Sequence, residues 1–539
     1  MEAARAASRR PRRRPPRYSA LALLRHGLSG RDWPRAWPDR PLRNRYDVVI
    51  VGGGVHGLAT AYYLAVNHGI TDVAVLDKGY IGGGGSGRST AILRSNYLTP
   101  EGVRFYDRSM QLYRTLAADL DFNVMFSRRG HLTLAHNDSS LRTMRWRAEV
   151  NQLQGVDSEV IDPGEIKRLV PYLDTSAHTR YPILGALYHP PGGIIRHDAV
   201  VWGYARAAAA QGVHIHQDTE VTGIDVADGR VRGVRTTKGD IATPVVLNAT
   251  AGWSTLVAAM AGVRLPIATF PLQAAVTEPV RPFLHAVVVS GTLHVYVSQT
   301  DRGELVFGAS VDPFAAYSTR GTLEFAEGLA THVIELMPGL SKMRLLRQWS
   351  GLCDMTPDFS PIMGGTGVEG FYVDVGWGTY GFKAGPVSGE AMARCIADGR
   401  APEIIEAFGI GRFGAGELVG EKGAAAVGHL SGGRRLIMIL IRCPWCGPRD
   451  AGEFHYSGEV TPRPDPATAT PEQWRDYLYF PANPRGQVTE TWYHRMGCRK
   501  FFVLQRDTDT NESRPLDGPG GIGGDQGFVP PGASRAGAQ

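Results

Sequence analysis

Apolar residues fall along the chain in short unbroken runs and longer periodic stretches, and the first run sets the pattern. Val48, Val49, Ile50 and Val51 are consecutive and β-branched. A run of four is too short for a helix, so it predicts a parallel strand buried on both faces. It ends in Gly52-x-Gly54-x-x-Gly57 and passes into LATAYYLAVNHG, a helical pattern closed by Gly69. Asp72–Leu76 gives a second strand, and Asp77 follows it, 20 residues beyond Gly57. In that order the three glycines have separate roles. Gly52 turns the chain, Gly54 lets backbone approach a pyrophosphate, and Gly57 lets helix pack on strand. The helix N-terminus presents unpaired N–H groups to phosphate, and Asp77 could accept bonds from both ribose hydroxyls. A dinucleotide site is therefore predicted.

The remaining pattern alternates between the two periods. GYIGGGGSGRSTAILRSNYL is a glycine-rich segment in which Ser86, Arg88, Ser89 and Thr90 offer donors to a diphosphate or flavin, and Arg94 suits a bidentate grip on a carboxylate. Residues 101–170 read as helices around FYDRSMQLYRTLAADL and SSLRTMRWRAEVNQLQG, with VMFSRRGHLTLAH alternating as a strand between them. Arg196-His197-Asp198 opens the helix AVVWGYARAAAAQG; by position alone His197 is a capping or surface histidine. Strands joined by Asp-Gly and Lys-Gly turns follow, and residues 263–345 read as a sheet-rich insertion with one helix around Glu324–Met337. The chain then returns to a strand-Gly-helix unit, where Gly376, Gly378 and Gly381 put N–H groups at a helix start with Lys383 just inside.

Composition changes this picture at the ends. The formal charge is +6, but residues 1–45 hold 13 Arg against three acids, a net of +10, so the remainder sums to about −4 and offers no polyanion surface. Residues 1–17 are expected to be disordered, as a nucleic-acid arm, a transit segment or a misplaced start, with a Trp-rich strap after Tyr18. Arg25 and His26 interrupt LALL, leaving no signal-peptide core, and no apolar run approaches the roughly 18 residues of a membrane span. A cytoplasmic protein is expected, without nucleic-acid or membrane partners. The five cysteines form no disulfide framework.

GGGVHGLATAYYLA, GSGRSTAILRSNYL, RHDAVVWGYARAA and GWGTYGFKA together resemble the β subunit of bacterial heterotetrameric sarcosine oxidase, within the glycine/D-amino-acid oxidase flavoproteins, from about Tyr18 to His429. The resemblance implies an α/β, Rossmann-like FAD domain with a β-sheet substrate domain. It implies oxidation of sarcosine by hydride transfer to FAD, with electrons passed to a covalent FMN and O2. Gly52, Gly54, His56, Gly57, Asp77, Lys78, Gly85, Ser86, Arg88, Thr90, Ile92, Val221, Gly378, Gly381 and Lys383 would serve FAD. His197 would carry FMN, reversing its reading by position, and Arg94 and Lys383 would hold the sarcosine carboxylate. Related monomeric enzymes attach FAD to a cysteine a few residues before MTPD. Gly351 stands at that place and Cys353 is two positions too close, so FAD is expected to be non-covalent and Cys353 a small core residue. The family also implies an α-like partner with folate and NAD sites, receiving the one-carbon unit on tetrahydrofolate, and a γ-like partner. A flavin dehydrogenase for another N-alkyl or cyclic imino acid (dimethylglycine, proline or an opine) and a non-catalytic assembly subunit are the alternatives.

Past His429 a second unit begins. Cys443-x-x-Cys446 and His494-x-x-x-Cys498 form a Cys3His set able to clamp tetrahedral Zn²⁺ between a knuckle and a helix turn. Nine basic against ten acidic residues in Arg442–Glu512 argue against a nucleic-acid ribbon. CPWCGPRD, EFHYSG, NPRG and WYHRMGCR resemble the δ subunit of the same enzyme, with a structural rather than catalytic zinc. The expected organisation is an arm and strap at 1–45; an oxidoreductase at 46–430, with nucleotide-binding segments near 46–100, 190–260 and 345–400; a linker at 431–440; a zinc module of α+β character at 441–512; and a disordered tail at 513–539. The β–δ join is either a true fusion or a read-through of adjacent genes.

Overall fold

A computed structural model of the chain describes residues 20–30, 35–421 and 440–516. The chain divides into two compact units, 1–38 and 39–539. In the first, Ala20–Ser29 is a helix, where an arm and strap were expected. Its run of Ala and Leu favours helix. The expected disorder of residues 1–17, most of the linker and most of the tail fall outside the described residues.

The second unit is built on a six-stranded sheet in the order Ile362–Gly365, Phe371–Val375, Val246–Asn248, Val48–Val51, Val73–Leu76, His214–His216. All neighbours are parallel except the first pair. The predicted first strand lies inside this sheet, which is why all four of its residues are buried and apolar. Backbone pairing begins before Tyr46, against strand Gly239–Ala242 of a separate three-stranded sheet: Ala242 N donates to Asn44 O, Tyr46 N to Ala242 O, and Arg43 pairs with Asp72. Residues 43–45 thus belong to this unit and not to an arm, because the edge backbone needs partners.

Helix Val55–His68 starts at the glycine turn and packs along helix Gly381–Asp398. A Cβ on Gly385 would come within 2.4 Å of the Val55 side chain, and one on Gly389 within 2.4 Å of Ala59 Cβ, so one helix rests on the bare glycine backbone of the other. An eight-stranded mixed sheet, Leu345–Met355, Ala268–Pro279, Glu304–Val311, Val295–Gln299, Val287–Ser290, His131–Ala135, Gly185–His189 and Glu159–Ile161, forms the second layer. Its core joins Leu132, Val288, Val297 and Leu305 to Phe325, Leu329 and Val333 of helix Leu323–Leu336. The strand expected across VMFSRRGHLTLAH is two strands, Ser127–Arg128 and His131–Ala135, broken at Gly130 with φ of 80°. No helix among the described residues is long and apolar enough to cross a membrane.

The C-terminal module has a two-stranded sheet, Leu440–Cys443 with Gly447–Asp450, and a four-stranded one, His455–Glu459, Gln487–Tyr493, Phe501–Asp507, Ser513–Pro515. Two expected bounds move. Leu440 is in a strand rather than a linker, and Ser513–Pro515 pairs with Leu504–Arg506 rather than starting the tail. Ile441, Phe454, Trp492, Phe502 and Leu504 share one core with Phe314 and Ala316 of the preceding domain. Beside it Arg506 and Glu490, both side chains 0% exposed, form a two-pronged ion pair, and Arg506 also donates to Ala315 O. Removing one member strands a charge in the core. Arg506→Met should therefore cost about 3–5 kcal/mol, seen as early loss of the module in limited proteolysis; Tm unchanged to within a degree or so would contradict this.

Candidate functional site

The glycine turn, the end of the six-stranded sheet and the face of the eight-stranded sheet enclose a cavity of about 1090 Å³. Gly52, at φ of 111°, passes so close to the next strand that a Cβ would lie 2.4 Å from Ala249 O. At Gly54 a Cβ would meet only Ser86 Oγ, at 3.1 Å, and this glycine lines the cavity. Backbone is thus bared where a diphosphate would rest. Ser86 Oγ accepts from Val55 N at 2.9 Å, and Arg88 donates to Gly83 O and, at 3.2 Å, to Gly84 O, which folds the glycine-rich segment over the turn. Asp77 closes the turn from the other strand: its oxygens accept from Gly53 N at 2.8 Å and Gly79 N at 2.9 Å. Burial is the main cause of its raised pKa. Each oxygen keeps a lone pair for a ribose hydroxyl.

Lys78, Gly85, Thr90, Ile92, Val221, Gly378, Gly381 and Lys383 line the same cavity; Gly57 sits behind it, its missing Cβ giving room to Gly52 O. His56 also reaches the wall, but its ring nitrogens are within hydrogen-bonding distance of Ser388 Oγ (2.8 Å) and Gly381 O (2.9 Å). Its ring is tilted against Trp377 at 4.6 Å. Asp354 holds the opposite glycine turn through Gly376 N at 2.6 Å and Gly378 N to its backbone O at 3.1 Å.

Away from the glycine turn the cavity is cationic. Arg94, 4% exposed, donates from Nη1 to Asn96 O and Oδ1, both at 2.9 Å, and lies over the Tyr97 ring. Burial, with Arg94 nearby, pushes the Lys383 ammonium down to about 7. Arg147 was not read from the sequence. It is 3% exposed, lines the cavity and donates to Asn96 O. Burial and then Arg94 depress it to about 9. It sits in a polar helix, RTMRWRAEV, among exposed arginines, so no pattern distinguished it. Cys353 is a buried thiol in the wall, pushed above its usual range by burial.

His197 is not on this cavity wall. It opens helix His197–Ala210, where Arg196 and Asp198 pair with each other at 2.6 Å. Its Nδ1 is buried with no hydrogen-bond partner, and burial lowers its pKa. A partly buried histidine nitrogen left bare in this way costs stability.

In the C-terminal module, one ligand atom from each of Cys443, Cys446, His494 and Cys498 lies within 4.8 Å of all the others. Cys443 Sγ is 3.6 Å from Cys498 Sγ, which is 3.4 Å from His494 Nδ1. His494 Nε2 faces Glu453 Oε2 at 3.4 Å, a carboxylate that fixes the tautomer leaving Nδ1 for a metal. The second ligand pair sits on a turn closing the hairpin, not on a helix. Gly497 is needed there, since its Cβ would fall 2.1 Å from His494 Cε1.

The chain belongs to the FAD dependent oxidoreductase family, whose model matches residues 47–395. Within that class, it is 47% identical over 416 residues to sarcosine oxidase subunit beta of Rhodobacter capsulatus, covering 77% of this chain and 100% of that protein. The subunit beta of Rhizobium meliloti is 47% identical over 415 residues, with the same coverage. Residues 440–514 match the sarcosine oxidase, delta subunit family. These bear out the resemblance read from the motifs. Among solved structures, L-proline dehydrogenase from P. horikoshii aligns with a TM-score of 0.66 at 30% identity, over 70% of this chain and 100% of that one. Glycine oxidase from Geobacillus kaustophilus shares the fold, with a TM-score of 0.62 at 23% identity over 68% of this chain and 99% of that one.

Purified without chelators, the chain should carry about one divalent metal through the four-ligand set. Cys446→Ser should lower the metal content by elemental analysis and make the module protease-sensitive; metal-free wild-type protein would refute the ligand assignment.

Proposed function

We propose that the chain is the sarcosine-oxidising subunit of a two-flavin oxidase, with the δ-like module fused to it. The observation that carries this reading is the pair of cations, buried Arg94 and half-buried Lys383, on the wall of the cavity that also presents the bared glycine turn. Sarcosine carries a carboxylate beside a secondary amine. Charge-assisted bonds from the Arg94 and Lys383 side chains hold that carboxylate and orient the N-methyl group. Bound FAD, held non-covalently by the Gly52–Gly57 turn, Asp77, the Ser86–Thr90 segment and Gly378–Gly381, supplies the two-electron acceptor for the methyl hydride. Asp77 holds the turn in shape through Gly53, and helix Gly381–Asp398 fixes Lys383. The burial of Arg94 lowers the local dielectric, which strengthens the grip on the carboxylate.

His197, whose Nδ1 is free, fits a covalent FMN. The second Gly-x-Gly-x-x-Gly that follows a strand and opens a helix, Gly376–Gly381, borders the same cavity as the first, so the rest of the FMN site would come from an α-like partner. Tetrahydrofolate on that partner takes up the one-carbon unit, O2 is reduced to hydrogen peroxide, and a γ-like chain completes the assembly in the cytoplasm. The Cys3His set fits a structural Zn²⁺, since protein supplies all four ligands. A second reading, oxidation of a cyclic imino acid such as proline, is favoured by the likeness to the L-proline dehydrogenase structure. Proline presents the same carboxylate and secondary amine. A panel of sarcosine, dimethylglycine, proline and an opine, compared by kcat/KM, separates the two; a preference for proline would overturn the first.

Lys383→Met should lower kcat/KM for sarcosine by about two orders of magnitude or more while FAD content stays high. Lys383 holds its proton below about 7 and loses it above, so acetate, a carboxylate without an amine, should bind more weakly as pH rises through 7. That slope should vanish in Lys383→Met; a slope retained in the variant would place the titration elsewhere.

Acid precipitation of the assembled enzyme should release FAD and leave FMN on the chain. His197→Asn should abolish the retained flavin, and yellow colour persisting in that pellet would remove His197 as the attachment site.

A further inference from the structure

One wall residue of the dinucleotide cavity comes from outside the oxidoreductase domain. Arg485 belongs to the C-terminal module, yet it lines the cavity beside Lys78 and Trp253. Its guanidinium carbon lies 5.0 Å from the centre of the Trp253 ring, and Lys78 Nζ lies 3.2 Å from the same centre. Lys78 directly follows Asp77, the carboxylate at the end of the second strand, so this is the ribose and adenine end of the site. Burial first, and then the charge of Arg485, lowers the pKa of Lys78.

The position of Arg485 is fixed from two sides. Two residues earlier, Asn483 is 2% exposed and plugged into the oxidoreductase domain: its Oδ1 accepts from Thr269 N at 2.9 Å, and its Nδ2 lies within 2.9–3.2 Å of Thr269, Tyr317 and Thr255 hydroxyls. On the other side, Asp509 accepts from Arg485 Nε at 3.0 Å. Both anchors lie at one end of the hairpin formed by Gln487–Tyr493 and Phe501–Asp507, paired from Gln487↔Asp507 to Tyr493↔Phe501. His494 and Cys498 lie in the connection at its other end, about 20 Å away for seven residues of strand. Metal ligands and cavity arginine are thus opposite ends of one β-ladder.

We propose that Arg485 is part of the dinucleotide site. The C-terminal module closes the adenosine end with this guanidinium, and a metal on the Cys3His set, by fixing the far end of the same hairpin, tightens the hold on the adenosine half. A planar guanidinium suits this place because it can stack on a purine and still donate to ribose oxygens. The inference concerns cofactor retention and stands whichever secondary amine is the substrate.

The test uses the full chain freed of flavin, titrated with FAD by the quenching of flavin fluorescence and with ADP by calorimetry. Arg485→Ala should weaken both by about tenfold, and Arg485→Lys should recover only part of the loss, since it restores charge without the planar fork. Asp509→Asn, which leaves the guanidinium in place but unheld, should weaken both by a smaller factor and serves if Arg485→Ala does not fold. Removing the metal with a chelator should weaken ADP binding to the unaltered chain and cause no further loss in Arg485→Ala. An Arg485→Ala chain that binds FAD and ADP as tightly as the unaltered one would overturn the inference and leave the proposed function standing. Equal losses on metal removal in both chains would overturn the coupling.

Discussion

The site depends on neighbouring atoms coming closer to glycine backbone than any side chain there would permit. Helix Val55–His68 is held between the first strand, through Gly57 against Gly52 O, and helix Gly381–Asp398, through Gly385 and Gly389. A methyl group at any of these positions would fall within 2.4 Å of a neighbouring atom. Those contacts set the helix N-terminus over the turn and keep Lys383 at a fixed distance from it. Overpacking such a contact costs about 1–3 kcal/mol, and here the displacement would pass directly into the cavity.

Charge is distributed to match. At the turn the protein offers N–H groups and one carboxylate, Asp77, itself engaged by two of those groups. At the opposite end it collects buried Arg94 and Arg147 with half-buried Lys383, and loss of hydration depresses the last two. Cations gathered without an equal number of anions disfavour their own charge. A ligand carboxylate relieves that penalty, so desolvation which costs the free protein stability becomes selectivity for an anion.

The C-terminal module is integral to this arrangement. It shares a core with Phe314 and Ala316, buries the Arg506–Glu490 pair against Ala315, and inserts Asn483 among Thr255, Thr269 and Tyr317. A domain this small needs such support, since it cannot bury much apolar surface alone.

Much of the first site was legible because its physics is local. A buried strand, a tight turn and a helix start leave a spacing that the sequence must obey, and Cys443, Cys446, His494 and Cys498 carry their chemistry in residue type and spacing. The family, the fold class and the existence of two units followed from such stretches. What the one-dimensional pattern did not hold are contacts between segments distant in sequence. Arg147 looks like any arginine on a polar helix until it is folded under Asn96, and Arg485 until Asn483 docks its loop against Trp253. Both ring nitrogens of His56 are taken by a helix more than three hundred residues on. Edges moved for the same reason: Leu440 and Ser513–Pro515 became strands because exposed backbone in the module found partners there. Spacing is determined by covalent geometry and belongs to the chain; partnership is determined by packing and exists only once the chain has folded.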